Sequence, residues 1–361
     1  MPVVDPDGIE DFARLVIEQI GGTQATAAAV AESLVGADLV GHSSHGLVRL
    51  SAYTDLARAG GVDPAASPHA TAAGPFTQLR GGDAFGQVTG RDAVEILIDE
   101  ASTDGMSVVG IRESGHLGRI GEWAERVASE GLLFASWVNL QGGSQRIAPA
   151  GTADRRLGTN PLTQAIPTFD VLPFDLVYDG ATSQVAHGKI IERDGSGEQL
   201  PSAWTITGSG EPVEKAASFE SGTGALLPLG GKAAGHKGFG LAVMAELFAG
   251  IIGGGKVSTE ERQAWVGNGG AFMAFDPTCF VTQERLEEQI ETVTAHIRSA
   301  EPIDGSEVLL PGEPEYRTAE RYRAEGLPIP ELTAADLREL ADELNLTDAL
   351  PDGLAAGSAQ Q

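Results

Sequence analysis

The sequence predicts an α+β fold in which two helical ends flank a middle region of short strands. Apolar residues recur at helical spacing within residues 1–60. Between about residues 70 and 230, glycine, proline, threonine and short apolar runs dominate, and from about residue 283 the helical pattern returns. Because 361 residues exceed one ordinary core, we expect two domains, one of them made by the two ends packed together.

These patterns place individual elements along the chain. Helices are predicted over residues 8–20 and 26–39, and a third is predicted from an N-cap at Ser43 or Ser44 to about Ala59. A helix at Ile120–Glu130 lies between two predicted strands, Met106–Ile111 and Leu132–Val138. Further predictions are strands at Leu162–Pro167, Phe174–Val177 and Phe272–Phe275, a buried helix at 238–252, and a capping box of Thr333 and Asp336 before Leu337.

The composition limits the partners and the compartment. A formal net charge of −27 argues against nucleic acid, whose phosphates need a basic surface. A single cysteine, Cys279, excludes an internal disulfide framework, and no uncharged apolar run reaches the roughly 18 residues of a membrane span. The N-terminus lacks the profile of a signal peptide, so we expect a cytoplasmic protein.

The segment Gly41–Arg49 carries the strongest chemical signal. On a helix, His45 and Arg49 share one face, where Arg49 can bind a carboxylate with two nitrogens while His45 exchanges a proton beside it. Ser44 can orient the imidazole. Two alternatives stay open, a capped helix start with solvated side chains and a zinc site of His42 and His45 with a third histidine.

Four other segments group polar side chains with glycine. Residues 111–121 follow a predicted strand and contain His116, but their glycine spacing is not that of a dinucleotide-binding loop. The run Gly158-Thr159-Asn160-Pro161 is typical of an ordered turn, and residues 178–189 gather a carboxylate, hydroxyls, an imidazole and an amine. Lys237 and the backbone amides of residues 235–240 predict an anion site at a helix start, without the pattern of a Walker loop.

In this order, the segments resemble the type-2 malate/L-lactate dehydrogenase family, which includes L-sulfolactate dehydrogenases and Δ1-piperideine-2-carboxylate reductase. The matching segments are Ser44-His45-Gly46 with Arg49, Gly115–Gly118, Leu157–Pro161, Asp179 with Ala181–Ser183, His236–Gly238 and Leu310–Glu313. The resemblance implies an NAD(P)-dependent oxidoreductase that interconverts a small 2-oxo acid and its 2-hydroxy acid. Each motif is weak alone, and their common order makes the resemblance specific.

The resemblance also implies an architecture. A helical domain would comprise residues 1–70 and 300–361, and residues 71–299 would form a mostly antiparallel, non-Rossmann domain that binds NAD or NADP. Members of this family usually form homodimers with the active site near the subunit interface. We therefore expect a homodimer whose partners are small 2-oxo or 2-hydroxy acids.

Residue roles follow from the matching motifs. The resemblance implies that His45 is the proton donor and acceptor with Ser44 beside it, and that Arg49 and Thr159 hold the substrate carboxylate. The remaining assignments are His116 and Lys189 in catalysis, Asn160 and His187 in substrate binding, and Asp179, Ala181, Thr182, Ser183, His236, Lys237, Gly312, Glu313 and Arg317 in cofactor binding. No residue is assigned to a metal.

Two departures from the family pattern narrow the expectation. Lys189 stands where some imine-reducing members have aspartate, which disfavours the alternative of a cyclic imine reductase. Pro314 interrupts a run that is often charged, which leaves the adenine end of the cofactor site open. A metal-dependent hydrolase and a ligand-binding protein without activity are further alternatives, and the presence of His45 and Lys237 disfavours the latter. Malate, lactate and sulfolactate, and NAD and NADP, are not distinguished.

The charge balance predicts that salt stabilises the protein. Only five of the 24 basic residues are lysine, against 51 acidic residues, a composition that suggests a salt-rich cytoplasm. Self-repulsion at this charge destabilises the compact state, and salt screens it. We expect the thermal unfolding midpoint to rise from low to molar KCl, measured by circular dichroism. A midpoint that is independent of KCl would mean an ordinary acidic protein.

Overall fold

The computed structural model describes residues 1–261, 267–303 and 305–355, and its fold is α+β. The helices are α1 (Pro6–Gln19), α2 (Gln24–Leu39), α3 (Leu50–Arg58), α4 (Gly86–Asp104), α5 (Ile120–Ser129), α6 (His187–Ser196), α7 (Ala216–Glu220), α8 (Gly231–Gly253), α9 (Gln283–Arg298), α10 (Glu313–Glu325), α11 (Glu331–Glu343) and α12 (Asp352–Ala355). The strands are β1 (Val3–Val4), β2 (His69–Ala73), β3 (Phe76–Arg80), β4 (Met106–Arg112), β5 (Leu133–Asn139), β6 (Leu162–Ile166), β7 (Leu176–Gly180), β8 (Thr205–Ile206), β9 (Ala225–Leu226), β10 (Gly269–Phe275) and β11 (Leu327–Pro328).

A mixed sheet forms the centre of the molecule. Among the described residues its strand order is β2-β3-β4-β10-β5-β6-β7, and only β3 and β4 pair in parallel. The prediction of a mostly antiparallel sheet is therefore confirmed. Strands β4 and β5 flank α5 in the sequence, yet β10 lies between them and runs antiparallel to both. In a Rossmann unit the two strands that flank a crossover helix pair directly, and here they do not.

Helices cover both faces of this sheet. Val109 and Ile111 of β4 point into the apolar core that Leu97 of α4 and Trp123 of α5 share. Gly110, between them, faces α8, where a side chain at this position would lie 2.2 Å from the Ile252 carbonyl oxygen. Helix α8 thus packs directly on the sheet because glycine leaves room for its backbone.

The two chain ends share a second apolar core. Strand β1 pairs antiparallel with β11, which joins the first residues of the chain to the segment before α11. Phe12, Leu34, Leu50 and Leu337 are buried together in this core. Phe85 and Val88, at the start of α4, also belong to it, so this core extends to the edge of the sheet. No helix in the described part of the chain is long and apolar enough to cross a membrane.

Three predictions of local structure were wrong in detail. The third helix does not start at Ser43 or Ser44, because two short 3-10 turns precede α3 and no serine side chain caps them. Helix α8 begins at Gly231 rather than residue 238 and is kinked at Ala234, whose φ is −135°. Thr333 lies inside α11 and is not its N-cap. At the start of α3 and in α8, glycine positions and tertiary contacts determine the backbone conformation more than the local spacing of apolar residues does.

Candidate active site

A turn at Gly46 sets the positions of the proposed catalytic residues. Ser43–His45 and Leu47–Arg49 form separate 3-10 turns, and Gly46 between them is extended. Asp38, in the last turn of α2, accepts a hydrogen bond of 2.7 Å from the Leu47 amide. A Cβ atom at Gly46 would lie 2.2 Å from the Asp38 carboxylate, so only glycine fits. Burial raises the pKa of Asp38 to about 7, against the opposing effect of the Leu47 hydrogen bond.

His45 is half-buried, and its side chain is hydrogen-bonded to the side chain of Ser44. Its Nδ1 atom lies 3.0 Å from Ser44 Oγ, and Arg49 Nε donates to the Ser44 carbonyl oxygen over 2.7 Å. The terminal nitrogens of Arg49 have no hydrogen-bond partner among the described residues. Burial, and then the charges of Arg49, His42 and Arg119, lower the pKa of His45 to about 3. These effects, rather than a helix N-terminus, keep the imidazole neutral.

His116 lies beside His45, and a hydrogen-bonded chain holds it. The two rings stack with their centroids 5.5 Å apart. Gln87 of α4 donates to the Tyr53 hydroxyl over 2.9 Å, and this hydroxyl lies 2.7 Å from His116 Nδ1. Because the tyrosine oxygen accepts from Gln87, we assign its proton to the bond with Nδ1, which places the imidazole proton of His116 on Nε2. Burial, with His45 and Arg49 adding to it, lowers the pKa of His116.

The start of α6 contacts the same turn. A side chain at Gly188 would lie 2.2 Å from Ser44 Cβ, so α6 rests directly on Ser44. His187 Nε2 lies 2.7 Å from Glu220 Oε1, and burial is the main cause of its lowered pKa. Lys189 is exposed and pairs with Glu192 of its own helix, so the structure does not bring it to His45.

The Thr159-Asn160 turn is anchored from two sides. The Thr159 carbonyl oxygen accepts hydrogen bonds from both the amide and the hydroxyl of Thr182. Asn160 is fully buried, and its amide nitrogen donates to Glu246 of α8 over 2.7 Å. Glu246 also accepts from Asn139 at the end of β5. The Asn160 side chain thus ties its loop to α8, which contradicts direct substrate binding through its amide nitrogen.

Asp179 caps a helix rather than standing free for a cofactor. One carboxylate oxygen accepts from the Gly121 amide at the start of α5 over 2.7 Å, and the other accepts from the Thr163 hydroxyl over 2.8 Å. Arg119 lies close by, buried and paired with Glu125. A carboxylate of the chain therefore occupies the helix N-terminus at which a Rossmann fold binds the pyrophosphate.

His236, one of the proposed cofactor residues, lines a cavity of about 250 Å³. It is lined by residues 149–152, Ile206, Leu227, Pro228, Gly231, Lys232, Gly235 and His236. Thr182 and Ser183 are buried and pair with the backbone of residues 228–229, while half-buried Ala181 precedes them. His236 and Lys237 are exposed after the kink at Ala234. The predicted anion site therefore lies at this kink, within α8, and not at the first turn of the helix.

The remaining predicted residues lie at the N-terminus of α10. Glu313 is buried and accepts from Arg298 and Arg317, and Arg317 also pairs with Glu307. Gly312 lies against the backbone of β7, where a Cβ atom would come within 2.8 Å of the Asp175 carbonyl oxygen. Glu313 and Arg317 thus pair with each other, and Gly312 rests on the sheet edge.

The histidines do not form the alternative zinc site. His42 contacts Glu315 of α10, His187 contacts Glu220, and the rings of His45 and His116 are parallel within 13°. Stacked rings direct their nitrogens outward and not toward one shared point. Across residues 1–261, 267–303 and 305–355, no group of three or more histidine, cysteine or acidic side chains is placed to hold a metal ion.

Sequence reasoning missed Asp38, Tyr53 and Gln87. A signal existed for Asp38, since a carboxylate in the last turn of a helix opposes the helix dipole and suggests another partner. Tyr53 and Gln87 meet His116 only through tertiary contacts, which the local sequence does not encode.

The lowered pKa of His45 predicts an acid-sensitive fold. Between pH 6.5 and about 3 the unfolded state binds a proton that the folded His45 does not, so stability falls as the pH falls through this range. Replacing His45→Gln removes this contribution. We expect the stability difference between wild type and variant to change by about 1 kcal/mol from pH 6 to pH 5, measured by urea unfolding. His69→Gln, on the exposed strand β2, is the control, and equal slopes in all three proteins would contradict the assignment.

Comparison with known proteins adds independent findings. A malate dehydrogenase from Pyrococcus horikoshii is 34% identical over 353 residues, which cover 95% of this chain and 96% of the relative. A Δ1-pyrroline-2-carboxylate/Δ1-piperideine-2-carboxylate reductase from Pseudomonas putida is 29% identical, with 92% and 95% covered. The solved structure of sulfolactate dehydrogenase from Methanocaldococcus jannaschii superposes with a TM-score of 0.83 at 28% identity, covering 95% of this chain and 98% of that one.

A family model gives the decisive match. The model described as malate/L-lactate dehydrogenase matches residues 4–338, nearly the whole chain. The match includes the turn at Gly46, His116, the capped start of α5 and the start of α10. On this evidence, the chain belongs to the malate/L-lactate dehydrogenase family.

Proposed function

We propose that this protein is an NAD(P)-dependent oxidoreductase that interconverts a small 2-oxo acid and its 2-hydroxy acid. The observation that carries the proposal is a neutral imidazole, His45, beside a guanidinium group, Arg49, whose terminal nitrogens have no partner among the described residues. Such a pair can bind a carboxylate and move a proton to or from the oxygen on the adjacent carbon. Membership of a dehydrogenase family supports hydride transfer as the accompanying reaction.

His45 is suited to accept a proton first. In 2-hydroxy acid oxidation, Arg49 binds the carboxylate and His45 takes the hydroxyl proton on Nε2, while its Nδ1–H group donates a hydrogen bond to Ser44 Oγ. In the reverse direction His45 must be protonated. The carboxylate offsets the Arg49 charge, which is one cause of the lowered pKa, and so favours protonated His45. Tyr53 and Gln87 hold His116 beside this proton transfer.

The cavity at the kink of α8 is our candidate site for part of a dinucleotide cofactor. Glycine and proline backbone forms much of its wall. The buried Gln184 Oε1 lies beside Gly231 of this wall and has no donor among the described residues. The nicotinamide amide and the adenine amino group are donors of the required kind. His236 and Lys237 are the residues that would hold a phosphate, with His116 toward the nicotinamide. When bound, the nicotinamide would supply a hydride to C2 of the 2-oxo acid, or accept one from C2 of the 2-hydroxy acid.

The geometry revises several roles within this proposal. Asn160 and Asp179 act as positioning residues, because their side chains are bonded to Glu246 and to the start of α5. Lys189 is left without a catalytic role. The division into residues 1–70 with 300–361 and residues 71–299 is kept as a proposal, supported by the pairing of β1 with β11. The cap of Asp179 on α5 supports a non-Rossmann mode of cofactor binding.

We also propose that the protein is a homodimer formed through α8. This helix buries alanine and glycine against the sheet and exposes apolar side chains on its other face. These side chains are Leu241, Met244, Leu247, Phe248 and Ile251. Net charge of −27 leaves few uncharged surfaces, and a second copy offers the same uncharged stripe.

The reaction is tested by separating proton transfer from binding. His45→Ala should lower kcat by on the order of 10²- to 10⁴-fold, because the proton acceptor is lost, while NADH affinity changes little. Arg49→Ala should mainly raise KM, by roughly 10- to 100-fold, because a charged hydrogen bond to the carboxylate is lost. Absorbance at 340 nm in molar KCl reports both, with NADH and NADPH against a panel of 2-oxo acids and cyclic imines. A His45→Ala enzyme with nearly normal kcat would refute the role of His45, and activity confined to imines would favour the reductase alternative.

The dimer is tested on the exposed face of α8. Ile251 is 74% exposed, and Ile251→Asp should weaken dimerisation at least about tenfold, because an unpaired charge would be buried at the interface. Leu332→Asp, at a position of similar exposure on α11, is the matched control. Light scattering after size exclusion measures the mass. A monomeric wild type, or an Ile251→Asp variant as dimeric as the control, would contradict the proposal.

A further inference from the structure

Arg146 is held rigidly in the loop that follows β5. Its backbone amide donates to the Leu157 carbonyl oxygen, and its own carbonyl oxygen accepts from the Leu226 amide, each over 2.8 Å. The side chain is half-buried, and its Nε donates to Ser144 Oγ over 2.9 Å. Contact with Glu220 is long, at 3.5 Å, and Nη2 has no acceptor among the described residues. A fixed backbone and an open guanidinium edge are what a binding arginine needs.

A short series of contacts connects Arg146 to the proposed carboxylate site. Glu220 bridges Arg146 and His187, with 2.7 Å to the imidazole. The residue after His187 is Gly188, which rests on Ser44. The Ser44 carbonyl oxygen in turn accepts the Nε proton of Arg49. Arg146 therefore lies across the start of α6 from Arg49.

The two guanidinium groups are close enough to influence the same groups. After burial, the charges of Arg146 and Arg49 both lower the pKa of His187, while Glu220 opposes them. Burial also lowers the pKa of Arg146, and the charge of Arg49 adds to this shift. Two neighbouring cations, of which only Arg146 contacts Glu220, at 3.5 Å, repel each other. An anionic ligand that contacts both relieves this repulsion.

We propose that Arg146 determines substrate specificity by binding a second acidic group, beyond C2 of the acid whose carboxylate Arg49 binds. The substrate class is therefore a dianionic 2-oxo or 2-hydroxy acid, with a second carboxylate or a sulfonate, rather than a monoanionic acid. This inference rests on the proposed function and narrows it. Planar guanidinium groups suit both acidic groups because each can donate two parallel hydrogen bonds.

The test compares three substrates in four proteins. For wild type, Arg146→Met, Arg146→Lys and Arg156→Met, kcat/KM is measured in molar KCl with oxaloacetate, sulfopyruvate and pyruvate. Arg146→Met should lower the preference for the dianions over pyruvate on the order of 100-fold, and Arg146→Lys should keep part of it. Arg156 is exposed in the same loop and pairs with Asp154, so its replacement should leave the ratios unchanged. Comparing kcat/KM for sulfopyruvate with kcat/KM for oxaloacetate shows whether a sulfonate or a carboxylate is preferred as the second acidic group.

Each outcome decides the inference. A wild type that reduces pyruvate as well as the dianions, or an Arg146→Met variant that loses all three activities equally, overturns the inference and leaves the proposed function intact. If no 2-oxo acid is reduced, the proposed function fails, and calorimetric titration with succinate and propionate then decides the role of Arg146. Tighter binding of succinate that Arg146→Met abolishes would support the second acid site, and equal binding of both acids would refute it.

Discussion

The hydrogen bond from the Leu47 amide to Asp38 is the contact on which the site depends. It holds the chain in an extended step at Gly46, and the same carboxylate leaves no room for a Cβ atom there. His45 and Arg49 consequently belong to different turns, and Arg49 folds back onto Ser44. Helix α3 can begin only after this step, at Leu50. Had the chain stayed helical from Ser44, every later residue of α3 would be rotated and displaced relative to the sheet.

The electrostatic state of the site follows from burial. His45 and His116 are kept neutral, and burial raises the pKa of Asp38 to about 7, so that Asp38 is only partly ionised near neutral pH beside the cation of Arg49. A carboxylate that binds there meets a positive field that nearby anions scarcely weaken. A carboxylate bound to Arg49 would offset the charge of Arg49, the second cause of the lowered pKa of His45 after burial, and so would favour protonated His45. The same residues that bind the acid thus prepare the proton donor.

The sequence predicted the elements that local apolar patterns determine, and it missed the features that depend on tertiary contacts. Helices α1, α2 and α5 and strands β4, β5 and β6 were found to within two residues because their apolar spacing reports one buried face. The start of α3 was wrong because Asp38, from another helix, interrupts it. The order of the family motifs along the chain identified the segments of the site. It did not show that Asp179 caps α5, because that contact requires the pairing of β6 with β7. Tyr53, Gln87 and Arg146 act through contacts distant in sequence and had no local signal.

The acidic surface and the arginines of the proposed site act on an anionic substrate over different distances. A net charge of −27 repels an anionic substrate at long range, and the screening length falls from about 10 Å at 0.1 M salt to about 3 Å at 1 M. Ion pairs between arginine and a carboxylate in the half-buried site are screened much less. Salt therefore reduces the long-range repulsion of the substrate more than it weakens these ion pairs. Guanidinium groups are also more weakly hydrated than ammonium groups and match carboxylates with two hydrogen bonds. Arginine at positions 49 and 146 is therefore better suited than lysine to bind an acidic group with two hydrogen bonds.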